Sequence, residues 1–334
     1  APQSGVGGVS LSFSLSPSFS LGMEKTREGE RERGGRGFMP KDEITPLRSG
    51  HLGVDGFKIW WEYHGTGDRE CCCLLNGLAM HCKAWYGFLP RLTDSYDVIL
   101  FDYLGQGDSS TDDVPYFIPE FARYLTFIRD EVGVEKLHLM GISYGGFIGL
   151  DFARLYQERL HTLVLSGILI SHEKLFELYQ EISLRFYRST DEVFEIYTQY
   201  MYEKIFGEAF AAAIPPDAFE AMRQRFYDRY IDQRHCLIRL TEAQNPFFGA
   251  LEENMPGYRA IRTPTILIAG SQDRAIPLWQ QKKILDIVPD SRWLEIPGAG
   301  HVVYIESPDP FFKTLRRFFE AKSLGFEPLE GVEG

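Results

Sequence analysis

The sequence predicts an α/β fold, with a mostly parallel central sheet, helices on both faces and an inserted helical subdomain. Three observations predict it. From about Leu52 onward, short apolar runs of strand length alternate with segments of helical period. That rhythm stops after Leu169 and resumes at Thr265, across about ninety residues of helical pattern that are too long for a connecting loop. And a Ser flanked by glycines stands where one strand gives way to a helix.

Residues 52–54 and Phe57–His64 flank Asp55-Gly56, a two-residue turn signal, and read as a β-hairpin. Cys71–Leu75 is a short apolar strand that ends at Asn76-Gly77. Residues 85–92 read as a short helix and Asp97–Phe101 as a buried strand. In Ile118–Val132, Phe121, Leu125, Ile128 and Val132 recur at helical spacing, and Gly133 ends the run. Residues 137–140 are a further strand, 147–155 an apolar helix, and Leu160–Ser166 the next strand. After the insertion, residues 265–269 form a strand, 278–287 a helix, 292–296 a strand and 310–321 a final amphipathic helix. The expected layout is a disordered extension over 1–48, a core over 49–170 and 259–322, a helical insertion over 171–258 and a flexible tail over 323–334.

At 334 residues the chain can bury one large core with a substantial insertion. Its formal charge of −12 argues against nucleic acid and anionic membrane surfaces as partners, since both need local positive charge. No run of about 18 apolar residues is present, so no membrane span is expected. The cysteines are Cys71, Cys72, Cys73, Cys82 and Cys236. Three of them are consecutive in an apolar strand and point to alternate faces, which suits small buried hydrophobes in a reducing compartment better than disulfides or zinc. The leading residues alternate Ser with Leu, Phe and Val and then turn charge-dense, unlike the basic start and unbroken apolar middle of a secretory signal. Met23 and Met39 are both candidate starts. A cytoplasmic location follows as the expectation.

The chemistry centres on Gly141-Ile142-Ser143-Tyr144-Gly145-Gly146. A Ser at a strand-to-helix turn takes a strained backbone, so its neighbours two away must be small, as Gly141 and Gly145 are. The turn lifts the hydroxyl above the sheet, and the helix N-terminus favours developing negative charge. The G-x-S-x-G pattern alone is weak; its strand–turn–helix context makes Ser143 the candidate nucleophile.

A serine hydroxyl needs a base, and the chain has eight His. His301, in Pro297-Gly298-Ala299-Gly300-His301, follows a strand at the edge from which a late loop reaches back over the sheet. His51, His64, His138 and His161 fall in the hairpin or on strands and read as structural or surface residues. His81 is the rival, and reads better as pocket lining. The imidazole in turn needs a carboxylate, and Asp273 follows the strand before it, giving the chain order Ser143, Asp273, His301. Asp102 also ends a strand, but sits in a turn-forming Gly/Asp/Ser loop. The expected oxyanion donors are the backbone amides of Tyr144 and Leu78. Asn76, Gly77, Met80, His81 and Val302 complete the expected pocket.

Taken together, residues 141–146, 270–273 with Pro277, Gly300-His301 and 102–109 resemble the α/β-hydrolase superfamily over roughly residues 50–321. The resemblance implies the α/β-hydrolase fold, a helical cap over the active site, a small-molecule substrate, and neither metal nor organic cofactor. Many relatives carry His-Gly where Asn76-Gly77 stands; Asn still hydrogen-bonds to the loop backbone. Ser143 sets the chain apart from haloalkane dehalogenases and epoxide hydrolases, whose nucleophile is Asp. The family hydrolyses esters, thioesters and lactones, and also holds C–C bond hydrolases, perhydrolases and acyltransferases.

The insertion is rich in aromatics: Phe176, Tyr179, Phe186, Tyr187, Phe194, Tyr197, Tyr200, Tyr202, Phe206, Phe210, Phe226, Tyr227, Tyr230, Phe247 and Phe248. Most of them pack the insertion's own helices, and the remainder make an apolar pocket for acyl chains or aromatic rings. Arg185, Arg188, Arg223 and Arg225 read as solvated helix faces rather than an anion site. The expected activity is carboxylic ester hydrolysis through an acyl-enzyme on Ser143. C–C bond cleavage or acyl transfer by the same triad is the alternative. A non-enzymatic binding protein would lack a triad member, and none is missing.

Overall fold

Strands in the middle of a sheet covered on both faces must be apolar on both sides, and that pattern sets the architecture. In the computed structural model, which describes residues 44–334, eight strands form one sheet: β1 (Arg48–Val54), β2 (Phe57–His64), β3 (Cys71–Leu75), β4 (Asp97–Phe101), β5 (Leu137–Ile142), β6 (Leu160–Ser166), β7 (Thr265–Gly270) and β8 (Ser291–Ile296). Their order is β1-β2-β4-β3-β5-β6-β7-β8. The β1–β2 and β2–β4 pairs are antiparallel; all others are parallel. β3, β4, β5 and β7 are buried along their whole length.

On one face pack α1 (Ile118–Val132) and α2 (Tyr144–Tyr156), which bring Phe121, Leu125, Phe147 and Phe152 onto Cys71, Cys73 and Leu75. On the other, Trp85 joins the late helices α11 (Val303–Glu306) and α12 (Pro308–Ala321), whose Phe311, Leu315 and Phe318 cover Cys72 and Leu74. The cysteine run thus faces two cores in alternation, and all five cysteines are free and buried. Full burial of each such Phe stabilises by about 1.5–3 kcal/mol.

Seven helices lie between β6 and β7: α3 (Lys174–Tyr187), α4 (Asp191–Ile205), α5 (Glu208–Ala213), α6 (Pro216–Tyr230), α7 (Arg234–Glu242), α8 (Gln244–Gly249) and α9 (Leu251–Arg259). They carry an aromatic core of their own around Tyr187, Phe194, Tyr197 and Tyr230.

Several expectations need correcting. Residues 85–92 are not one helix but two 3-10 turns, Cys82–Trp85 and Leu89–Arg91, the second with Pro90 in its opening turn. The buried spacing of Trp85, Leu89 and Leu92 imitates a helical stripe. The expected helix 278–287 is a single α-helical turn, α10 (Leu278–Gln281), continued by the 3-10 segment Lys282–Asp286. Residues 323–334 are no free tail. Phe326 and Val332 are buried, Arg292 Nη1 donates to the carbonyls of Leu324 and Phe326, and Glu333 pairs its backbone with Glu295 on β8. This short segment covers a sheet edge that would otherwise stand open. At the other end β1 begins at Arg48, and Ile44 already packs against the core, so the part of the expected extension over 44–48 is joined to the fold. The rest of that expectation, residues 1–43, lies outside the described residues.

Candidate active site

Parallel strands end on a common edge, and the register decides which loops meet there. Leu75 pairs with Gly141, Ile142 with Ser166, and Gly270 with Ile296. The loops after β3, β5, β6, β7 and β8 therefore gather Gly77, Ser143, Gly167, Asp273 and His301 at one rim.

Ser143 stands between β5 and α2 with φ 49° and ψ −121°, a left-handed conformation that non-glycine residues rarely adopt. Its N–H donates to Ser166 O at 2.8 Å, and its carbonyl accepts from Gly146 N at 2.8 Å. The turn is held tight by glycines. A β-carbon at Gly141 would sit 2.4 Å from Gly145 O, and one at Gly145 would sit 2.6 Å from Leu75 O. Both contacts are with backbone, which cannot yield, so these positions tolerate only glycine.

The His301 Nδ1 and Asp273 Oδ2 atoms are 2.8 Å apart, and both side chains are buried. Asp273 is held in turn: its Oδ1 accepts from the amides of Ala275 (2.9 Å) and Ile276 (2.8 Å), and its Oδ2 from Gln281 Nε2 (2.9 Å). Burial pushes the His301 pKa down, but the Asp273 charge and hydrogen bond, aided by Glu306, outweigh it and leave the value raised. Ser143 and His301 line the same cavity, though no hydrogen bond joins Ser143 Oγ to the imidazole. Such contacts are often loose before substrate binds.

The loop after β3 packs close: a β-carbon at Gly77 would lie 3.7 Å from Ser143 Cβ. The Gly77 amide is engaged with Met80 Sδ at 3.2 Å, while neither Leu78 nor Tyr144 N–H has an internal acceptor among the described residues. Both residues line the cavity, as do Gly77, Met80 and Val302. Asn76 and His81 do not. The Asn76 side chain is wholly buried and turned inward: it donates to Phe101 O at 2.9 Å and accepts from Trp85 Nε1 at 2.8 Å, tying β3 to β4. His81 precedes the turn Cys82–Trp85 outside the cavity wall; burial, with Arg229 and Lys83 nearby, pushes its pKa down to about 4. Asp102 is a buried scaffold residue that accepts from the amides of Cys82 and Asp108.

The cavity and its mouth enclose about 930 Å³ of space free of protein atoms. Of the aromatics on the inserted helices, Phe176, Tyr179, Tyr187, Tyr197 and Phe226 line it and the others pack elsewhere. None of Arg185, Arg188, Arg223 and Arg225 reaches it. Among the described residues, no three His, Cys, Asp or Glu side chains gather into a metal-binding group. No described helix is long and apolar enough to cross a membrane.

Two positioning residues escaped the sequence reading. Gly167 lies against the His301 ring. Glu306 Oε2 accepts from the amides of Gly207 (3.0 Å) and Gly300 (2.9 Å), clasping an inserted-block turn to the His301 loop. Neither has a motif signal, because each acts through a contact distant along the chain.

A family model for the alpha/beta hydrolase fold matches residues 73–308, and the chain belongs to that family. Among curated relatives, the "Putative carbamate hydrolase RutD" of Pseudomonas savastanoi pv. phaseolicola (strain 1448A / Race 6) is 27% identical over 265 residues, covering 77% of this chain and 96% of the relative. The 2-hydroxy-6-oxo-6-(2'-aminophenyl)hexa-2,4-dienoic acid hydrolase of Metapseudomonas resinovorans is 25% identical over 269 residues, covering 78% and 88%. Among solved structures, MGS-M2, an alpha/beta hydrolase enzyme from a Medee basin deep-sea metagenome library, superposes with a TM-score of 0.71 at 20% identity, covering 81% of this chain and 97% of that one. That last likeness is one of fold.

Proposed function

We propose that this chain is a carboxylic ester hydrolase that works through an acyl-enzyme on Ser143, with the inserted helices as a cap over a small to medium, largely apolar or aromatic substrate. One observation carries the reading. A strained Ser143 shares a cavity with His301, whose Nδ1 is committed to a buried Asp273. In this reading His301 Nε2 takes the Ser143 proton as Oγ attacks the ester carbonyl. The free amides of Leu78 and Tyr144 receive the oxyanion, and His301 returns the proton to the leaving alcohol. Water activated by the same ring then releases the acid. Five buried, unpaired cysteines support a reducing, cytoplasmic setting.

A second reading keeps the same residues and changes the bond. The names of the relatives favour a carbamate or a 2-hydroxy-6-oxo-dienoic acid as substrate; C–C bond cleavage uses the same triad, and acyl transfer to an alcohol needs only a different acceptor. Turnover of short and medium p-nitrophenyl esters, beside Ser143→Ala, is the deciding assay. Equal hydrolysis by both proteins removes the mechanism. No turnover with stoichiometric fluorophosphonate labelling of Ser143 keeps the triad and discards the esterase reading. Product analysis with an added alcohol separates hydrolysis from transfer.

A further inference from the structure

We propose that the inserted helices carry a neutral polar subsite, built on Gln180 and Thr241 with Ser183 and Gln244 beside them. It holds a hydroxyl, carbonyl or amide of the substrate away from the bond that breaks at Ser143. This rests on the ester-hydrolase reading for the reaction and adds what the substrate must contain.

Helix α3 turns Phe176, Tyr179, Gln180, Ser183 and Tyr187 to the cavity, a spacing that falls on one helical face. Its outer face leaves Leu175 60%, Leu178 40% and Ile182 40% exposed. Burial alone would select the reverse, with the aliphatic residues inside and the amide and hydroxyl in water. The polar groups that face inward are also short of partners. Gln180 Nε2 is buried without one, and so is Thr241 Oγ1 on a residue only 3% exposed. Native structures satisfy nearly all such atoms, so a pair of exceptions facing one cavity calls for a polar group or water to occupy it. Ser183 Oγ donates to Tyr179 O at 2.9 Å and keeps its lone pairs, and Gln244 Nε2 makes only a long 3.4 Å contact with Thr241 O. The Tyr187 and Tyr197 hydroxyls share one hydrogen bond of 2.7 Å beside them, which uses one of their two protons and leaves the other available in the same cluster.

The group must be neutral. No Lys, Arg, Asp or Glu is among the described residues that line the cavity. An ionised group there would be desolvated with no counter-charge. Phe147, Phe176 and Phe226 supply the apolar wall for the remainder of the substrate.

The test is a matched series of p-nitrophenyl esters whose six-carbon acyl chain ends in methyl, hydroxyl, primary amide or carboxylate. It is run on the wild type, Gln180→Leu and Thr241→Val, each checked for folding by circular dichroism. The expected kcat/KM for the hydroxyl or amide ester exceeds that of the methyl ester by about tenfold, with the carboxylate lowest. In each variant that ratio falls about fivefold or more. The same end groups on alkyl fluorophosphonates report through the rate of Ser143 labelling, so the subsite is measured even when no ester turns over. Turnover or labelling without an end-group preference, or with the same preference in the variants, removes the subsite alone. Absence of both turnover and labelling removes the reading beneath it, and the subsite with it.

Discussion

Gly167 lies so close to His301 that a β-carbon there would sit 2.6 Å from the ring's Cε1 and 2.8 Å from Nδ1. Its backbone has φ +64°, which glycine alone adopts without strain. The imidazole is thus wedged between the end of β6 and the Asp273 carboxylate. Gly167→Ala forces the ring out of line, so kcat/KM for an ester should fall by about 10²-fold while the fold survives with a lower Tm. Kinetics beside a thermal melt check this; a rate within twofold of wild type contradicts the wedge.

Activity should rise with pH through the raised pKa of His301, because only the neutral ring accepts the serine proton. In Asp273→Asn the larger opposing charge is gone and only Glu306 is left to set against burial, so the acidic limb moves to lower pH. The rate itself drops by about 10⁴-fold, since the ring loses its tautomer and its counter-ion. The stability linked to the pair has the opposite sign to activity. A folded pKa above the unfolded value of 6.5 means that the contribution is complete below 6.5 and is lost as pH climbs through the raised value. A pH–rate profile of both proteins tests the shift; an unmoved limb would assign it to another group.

The left-handed Ser143 backbone stores about 1–2 kcal/mol of strain. Ser143→Gly and Ser143→Ala should both abolish turnover, yet the glycine variant should melt a few degrees higher than the alanine variant. Equal melting points would show that the elbow is relaxed.

Glu306 offers a separate handle. Burial raises its pKa, and the Gly300 and Gly207 amides and the His301 cation only partly offset this. Its Oε1 atom has no partner. A carboxyl whose folded pKa lies above the unfolded 4.5 contributes most below that value and loses the contribution as pH rises. Glu306→Gln should therefore match the wild type near pH 4 and melt higher than it near pH 8. Glu306→Ala, which frees both amides, should lower both Tm and kcat. Melting curves across that range decide the sign.

Much of the fold and site was legible because its signals are local. The strands at Cys71–Leu75 and Asp97–Phe101 announce themselves by unbroken apolar runs, and Ser143 by glycines at fixed offsets within one turn. Asn76 and His81 misled because both follow β3, where a pocket residue would stand; the Asn76 side chain is turned inward by Trp85 and Phe101, partners that no spacing reveals, and His81 falls outside the cavity lining. Residues 323–334 look like a tail because Phe326 and Val332 have no periodic neighbours; they are held by an edge that β8 presents only once folded.

What the chain determined by itself was its alternation of elements, the glycine-flanked turn at Ser143 and the order of the residues proposed to carry the chemistry, since each depends on neighbours a few positions away. Tertiary structure alone decided which loops share a rim, that residue 167 must leave room for a ring 134 positions later, and that α3 shows its amide to the cavity and Leu175 and Leu178 to water. Those outcomes come from strand order and helix orientation, which pair residues through space and leave no periodic trace in sequence.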